Sequence, residues 1–139
     1  MNVIQFRKAG YAVYFFLEEG VSIVRKWFWD QENPDVEWSA FQMLLDIYES
    51  GGPESIAAST VDFGNGFYGL KVPRRGGVLP CPIFTLGPFD RETEITFLVG
   101  ARWDDVKKRV RPYGSVGTAE ENLEVLRENP GRRRRGPGT

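Results

Sequence analysis

The sequence has no histidine and a single cysteine, Cys81, in 139 residues. The missing histidine excludes imidazole acid–base catalysis and removes the commonest metal ligand. One cysteine makes an intramolecular disulfide impossible and cannot build a structural zinc site. No run approaches the ~20 apolar residues that a membrane helix requires. Near the start, Arg7 and Lys8 precede the apolar stretch Tyr11 to Leu17. That stretch is too short and too aromatic for an export signal, and Glu18 and Glu19 follow where small residues belong. A cytoplasmic protein is the simplest expectation. There is no Gly-x-Ser-x-Gly elbow, and Gly64-Asn65-Gly66 lacks the Lys-Ser/Thr ending of a phosphate loop.

What is present is apolar and aromatic, 41% and 14% respectively, which suits one packed domain. The net charge of −1 hides a split. Residues 1–66 hold four cations and ten acids, whereas residues 67–139 hold fourteen cations and nine acids. An anionic partner for the second half is the direction this points. Part of the excess is Arg132 to Arg135 among Gly and Pro, expected as a disordered basic tail over residues 130–139, after a single domain over 1–129.

Local signals outline the elements. Tyr11 to Phe16 reads as a strand, and Ser22 caps a short helix carrying Ile23, Val24, Trp27 and Phe28. Asn33-Pro34 opens a second helix, on which Val36, Ala40, Met43, Leu44 and Ile47 form an apolar stripe expected to face the core; Trp27, Phe28, Trp38 and Phe41 are also read as packing residues. Gly51-Gly52-Pro53 ends it. Asn65-Gly66 is a hairpin turn between a short strand around Ile56 to Val61 and a firmer one from Phe67 to Val72. Pro80 and Pro82 make Val78 to Leu86 an edge strand, a bulge or a loop. Ile95 to Val99 is the central strand. Thr118-Ala119-Glu120-Glu121 reads as a capping box that opens the last helix, closed by Asn129-Pro130-Gly131. The fold expected is α+β: two N-terminal helices and a C-terminal helix on a small, mainly antiparallel twisted sheet, in the order β-α-α-β-β-β-α.

The chemistry-bearing stretch follows the central strand. Arg102, Lys107, Lys108, Arg109 and Arg111 stand against only Asp104 and Asp105, with Trp103 and Tyr113 among them. Lys71, Arg74 and Arg75 lie on the preceding hairpin and its turn. A cluster of this kind binds phosphates through charge and counterion release, and exposed aromatics stack on unpaired bases. From charge alone, a solvated loop with its aromatics tucked onto the core is the simpler reading.

Three groups of residues in this order resemble phage-derived HigB-like proteins of the RelE toxin superfamily. They are Tyr11-Ala12-Val13-Tyr14-Phe15 with Gly20-Val21-Ser22; Gly66-Phe67-Tyr68-Gly69-Leu70-Lys71 with its basic turn; and Ile95-Thr96-Phe97-Leu98-Val99-Gly100 leading to Lys107-Lys108 and then Thr118 to Glu124. The resemblance spans about residues 11–128. It implies a RelE-like fold and the toxin of a toxin–antitoxin system, a ribosome-associated mRNA endoribonuclease that works without metal or cofactor. A ribose 2′-hydroxyl would attack the adjacent phosphate while cations hold the developing charge. By position, the catalytic set would be Lys71, Arg102, Lys107, Lys108, Arg111 and Tyr113, with Arg74, Arg75, Trp103 and Arg109 binding RNA. Expected partners are mRNA on the ribosome and a cognate antitoxin protein, with no membrane; a homodimer is left open. The chain departs from the family pattern at Val78-Leu79-Pro80-Cys81-Pro82, where an arginine is usual. The alternative is therefore a RelE-fold module that has lost catalysis and binds RNA or protein.

Overall fold

A computed structural model describes residues 10–136; Arg7, Lys8 and the final residues 137–139 of the expected tail lie outside this range. The architecture is α+β, with a mainly antiparallel mixed sheet between helices on its two faces. Strand β1 (Ala12–Glu18) turns through Glu19-Gly20 into the short β2 (Val21–Ser22). Helix α1 (Ile23–Trp29) starts where expected, because the Ser22 hydroxyl accepts the Arg25 N–H at 3.2 Å. Pro34 occupies the first turn of α2 (Pro34–Gly51), where its missing N–H costs nothing. Of the short strand expected around Ile56 to Val61, the first part is instead a 3-10 helix, Pro53–Ser59, and only Thr60 and Val61 are strand, at the start of β3 (Thr60–Gly64). Asn65 and Gly66 both take positive φ, 54° and 87°, and form the tight turn into β4 (Phe67–Leu70).

The region with two prolines divides into β5 (Val78–Pro80) and β6 (Ile83–Leu86). The division has a simple cause. The Pro80 and Pro82 carbonyls accept from Val72 and Leu70, while the Cys81 N–H between them donates to Ala101 at 2.7 Å. The prolines therefore sit where donors are not needed, at the corner where the chain passes from one sheet to the other. After β7 (Glu94–Val99), the basic segment is a strand pair, β8 (Arg102–Asp104) and β9 (Arg109–Arg111), rather than a loop. With β5 it forms a three-stranded sheet in the order β5-β8-β9.

Helix α3 (Ser115–Glu128) starts three residues before the expected capping box; Gly114 is the cap residue and Thr118 lies inside the helix. The last difference is at the tail. Arg133–Gly136 form strand β10, antiparallel to β1, so this part of the expected disordered segment is an edge of the main sheet. The order there is β10-β1-β7-β6-β4-β3, with β1 and β7 parallel and β2 paired to β1. Ile95 to Val99 is central, as read.

One face of the sheet packs Val13, Phe15, Leu70, Phe84, Ile95 and Phe97 against Val24, Phe28, Trp38, Phe41, Leu45 and Tyr48 of α1 and α2. The other packs Phe16, Phe67, Ile83 and Leu98 against Ala119, Leu123 and Leu126 of α3. The helix α2 register corrects the expectation. Trp38 and Phe41 are buried as read, but Val36, Met43 and Ile47 of the expected core stripe face solvent, at 72%, 67% and 46% exposure. Two stripes compete on this helix, and the one rich in aromatics buries the larger area.

The tail is fixed by Arg133. Its guanidinium meets the buried Glu94 carboxylate at 2.6 Å and lies over the rings of Tyr14, at 3.6 Å, and Phe89, at 4.7 Å. Arg132 donates to the Leu17 carbonyl and Arg134 to the Gly20 carbonyl. Arg133→Ala leaves Glu94 buried and unpaired, so it is expected to cost about 3 kcal/mol in a urea denaturation experiment. A change within about 0.5 kcal/mol, the size typical of a surface substitution, would mean that β10 is not held by this pair.

Candidate nucleic-acid interface

The β8–β9 hairpin is held in shape by Asp104. Its Oδ1 accepts the Val106 and Lys107 N–H groups at 3.1 and 2.9 Å, and its Oδ2 accepts from Arg111 at 2.6 Å. The Lys107 N–H above all, with the Val106 N–H and the Arg111 charge, holds this carboxyl below the ordinary aspartate value of 3.8, against the opposing effect of its burial. Lys108 closes the turn with φ of 54°. Asp105 takes hydrogen bonds from Lys108 Nζ at 3.1 Å and Trp103 Nε1 at 3.2 Å, which also lower its pKa. The neighbouring Arg74-to-Gly77 turn abuts the hairpin tip, where the Asp105 N–H donates to the Gly77 carbonyl at 2.7 Å.

Cross-strand register sorts the side chains. Arg102 lies opposite Arg111 and Asp104 opposite Arg109, so these four share one face; Trp103 and Val110 share the other. The Trp103 ring is 9% exposed and packs on Phe63, so it is a core residue and not a base-stacking one. Tyr113, 90% exposed, is the aromatic that is open to a ligand.

The expected catalytic cations do not gather as free charges. Glu37, on α2 and 3% exposed, binds Arg102 Nη2 at 3.0 Å and Arg74 Nη1 at 2.9 Å. Arg102 Nε also donates to Gln31 at 3.0 Å, and its guanidinium lies 5.5 Å from the Trp27 ring. Gly100 makes room for that ring, since a Cβ there would collide with it. Asp30 and Glu32 line the adjoining recess with Arg74 and Arg102. Arg102 and Arg74 are thus ion-paired inside an acidic setting, and Arg111 is committed to Asp104. No sequence signal marked Glu37, because its partners lie 37 and 65 residues away.

The remaining cations form the outer rim. Lys107, Lys108 and Arg109 are exposed and consecutive, and Arg75 is exposed on the abutting turn. Among the described residues, the side chains of Lys107, Arg109 and Arg75 make no hydrogen bond or ion pair. Lys71 is half-buried, close enough to Asp105 to lower that carboxyl's pKa. It also partly offsets the burial that pushes the Cys81 thiol up to about 12. Cys81 is accordingly a protonated packing residue at neutral pH, not a thiolate nucleophile. Among the described residues, no three His, Cys, Asp or Glu side chains converge to hold a metal, and no helix is long and apolar enough to cross a membrane.

The chain matches no protein-family model, no curated protein and no solved structure.

Two outcomes follow from the carboxylates. Glu37→Gln removes the charge on which two guanidinium groups rest, and is expected to cost about 3 kcal/mol by chemical denaturation. Asp104, with its lowered folded pKa, contributes stability above the ordinary aspartate value, and that contribution is lost as pH falls below 3.8. The protection of the Val106 and Lys107 amides, taken relative to intrinsic exchange at the same pH, is expected to fall over that range. In Asp104→Asn the same amides should exchange fast already at neutral pH; slow exchange in the variant would show that Asp104 does not hold the turn.

Proposed function

We propose that the chain is an RNA-binding module that takes a phosphate backbone along the outer rim of the β8–β9 hairpin and carries out no cleavage of its own. The observation that carries this reading is the division of the cations. Arg74, Arg102 and Arg111 are tied to buried Glu37 and Asp104, whereas Lys107 and Arg109 are exposed without an ion pair and Lys108, also exposed, pairs only with Asp105 on the same turn, which Asp104 fixes. A preorganised row of exposed cations binds a polyanion with little ordering cost, and its affinity comes from counterion release. Tyr113, past the end of β9, offers an open ring to an unpaired base, which favours single-stranded RNA over an acidic protein.

The reading parts from the endoribonuclease that the family resemblance implies. Such a reaction wants unpaired cations at the scissile phosphate together with a group to move the 2′-hydroxyl proton. Arg102 answers to Glu37 and Gln31 instead. Electrostatic stabilisation of a developing charge is weak when the donor's own charge is already neutralised.

The test is fluorescence anisotropy with a labelled single-stranded RNA dodecamer. Lys107→Ala/Lys108→Ala/Arg109→Ala is expected to weaken binding at least tenfold. It should also flatten the log–log salt dependence by about 2, because each phosphate that a cation neutralises on a single strand adds roughly 0.7 to the slope. Tyr113→Ala should cost about 1–3 kcal/mol. Unchanged affinity in the triple variant would remove the hairpin from the interface. Growth arrest with mRNA cut at ribosomes by the wild type, and relieved by Arg102→Ala, would replace this reading with the nuclease.

A further inference from the structure

The face of α2 turned away from the sheet carries exposed apolar side chains, with only Ala40 of its stripe packed against the core. Trp38, Phe41, Leu45 and Tyr48 complete the buried side. Val36, Met43 and Ile47 are exposed, with half-buried Ala40 between them, so the outer stripe runs about 16 Å along the helix. Polar residues at these positions would leave the buried side of the helix intact. A soluble surface does not need a straight apolar ridge, and a contiguous patch of this kind marks an interaction site. Met43 at its centre is the side chain best able to adapt to a partner's shape.

The charges beside the ridge indicate the partner. Asp35 and Asp46 are exposed along one flank about three turns apart, Glu49 follows them, and α2 contains no lysine or arginine. The cation beside the helix, Arg135 of β10, already acts on Glu49, so two copies of α2 packed on each other would set Asp35 and Asp46 against further carboxylates, and charge disfavours a second copy. We infer that this face is a docking surface for a cationic amphipathic helix of another protein. Its apolar residues at i, i+3/i+4 and i+7 cover Val36, Met43 and Ile47, and its flanking lysines or arginines meet Asp35 and Asp46. The site lies on a different element from the basic hairpin and does not depend on RNA binding.

The probe is a labelled 18-residue leucine–lysine helix, compared with its leucine–glutamate counterpart, titrated against the full chain by anisotropy. The lysine peptide is expected to bind, with the Met43 methyl resonance shifting. Val36→Ser/Met43→Ser/Ile47→Ser, whose melting temperature should be unchanged because the residues are exposed, is expected to weaken binding at least tenfold. Asp35→Asn/Asp46→Asn should weaken it several-fold and reduce its salt dependence. Equal binding of the glutamate peptide, or no effect of the serine variant, would overturn the proposal. So would a wild-type dimer in light scattering that the serine variant abolishes, which would make a second copy the occupant. Binding that emerges only after deletion of residues 1–9 would assign the face to the chain's own N-terminal segment, and would also overturn it.

Discussion

Glu37 is the residue on which the arrangement of this molecule turns. It is one buried carboxylate on α2, and it receives Arg74 from the turn before β5 and Arg102 from the start of β8. Neither arginine has another carboxylate within ion-pair distance among the described residues. The two ion pairs therefore tie the helical layer to the three-stranded sheet. Removing a charge from water is costly, and a single carboxylate shared by two guanidinium groups is tolerable because both its oxygens are used, although Arg102 Nη1 stays buried without a hydrogen-bond partner. Both guanidinium groups are thereby turned toward α2, while Lys107, Lys108 and Arg109 stay exposed.

The same electrostatics separate two kinds of cation that look alike in the sequence. Arg102 and Arg111 belong to the internal wiring of the hairpin; Lys107 and Arg109 do not. A lysine whose ammonium is hydrated and mobile suits the outer rim, whereas the planar guanidinium of arginine suits a shared carboxylate and a ring face such as Trp27. The four-arginine tail divides in a similar way. Arg133 is inserted between two rings against Glu94, and Arg132 and Arg134 donate to carbonyls of β1 and of the turn that follows it. Among the described tail residues only Arg133 is paired with a carboxylate; Arg134 and Arg135 are exposed and keep their charge.

Features with a short-range cause were legible from residues. The Ser22 cap, Pro34 in the first turn of α2, the Asn65-Gly66 turn and the strand through Ile95 to Val99 each depend on neighbours within a few positions. The misread features have long-range causes. The α2 register was ambiguous because two apolar stripes share the helix, and the sheet, not the helix, chooses between them. The tail reads as disordered because Gly, Pro and Arg have no local structure, and only β1 and Glu94 give it one. Of the candidate site, the identity of the basic stretch was legible. The pairing that divides it was not, since Glu37 carries no mark in sequence of the two arginines it holds.

The position of β1 bears on how the chain assembles. It is the first of the described strands, yet it lies between β7 and β10, and the Leu17 carbonyl takes a hydrogen bond from a side chain 115 residues further on. Its neighbour β7 must also run parallel to it, so no local hairpin can bring the two together. Until β7 and β10 are in place, β1 has only β2 beside it, paired with its last two residues, and its aromatic middle has open edges. Closure of the sheet waits for pairings of long sequence separation, the kind that slows folding and leaves strand edges open to wrong partners. Tyr14, Phe15 and Phe16 are then the residues most in need of shielding before the fold is complete.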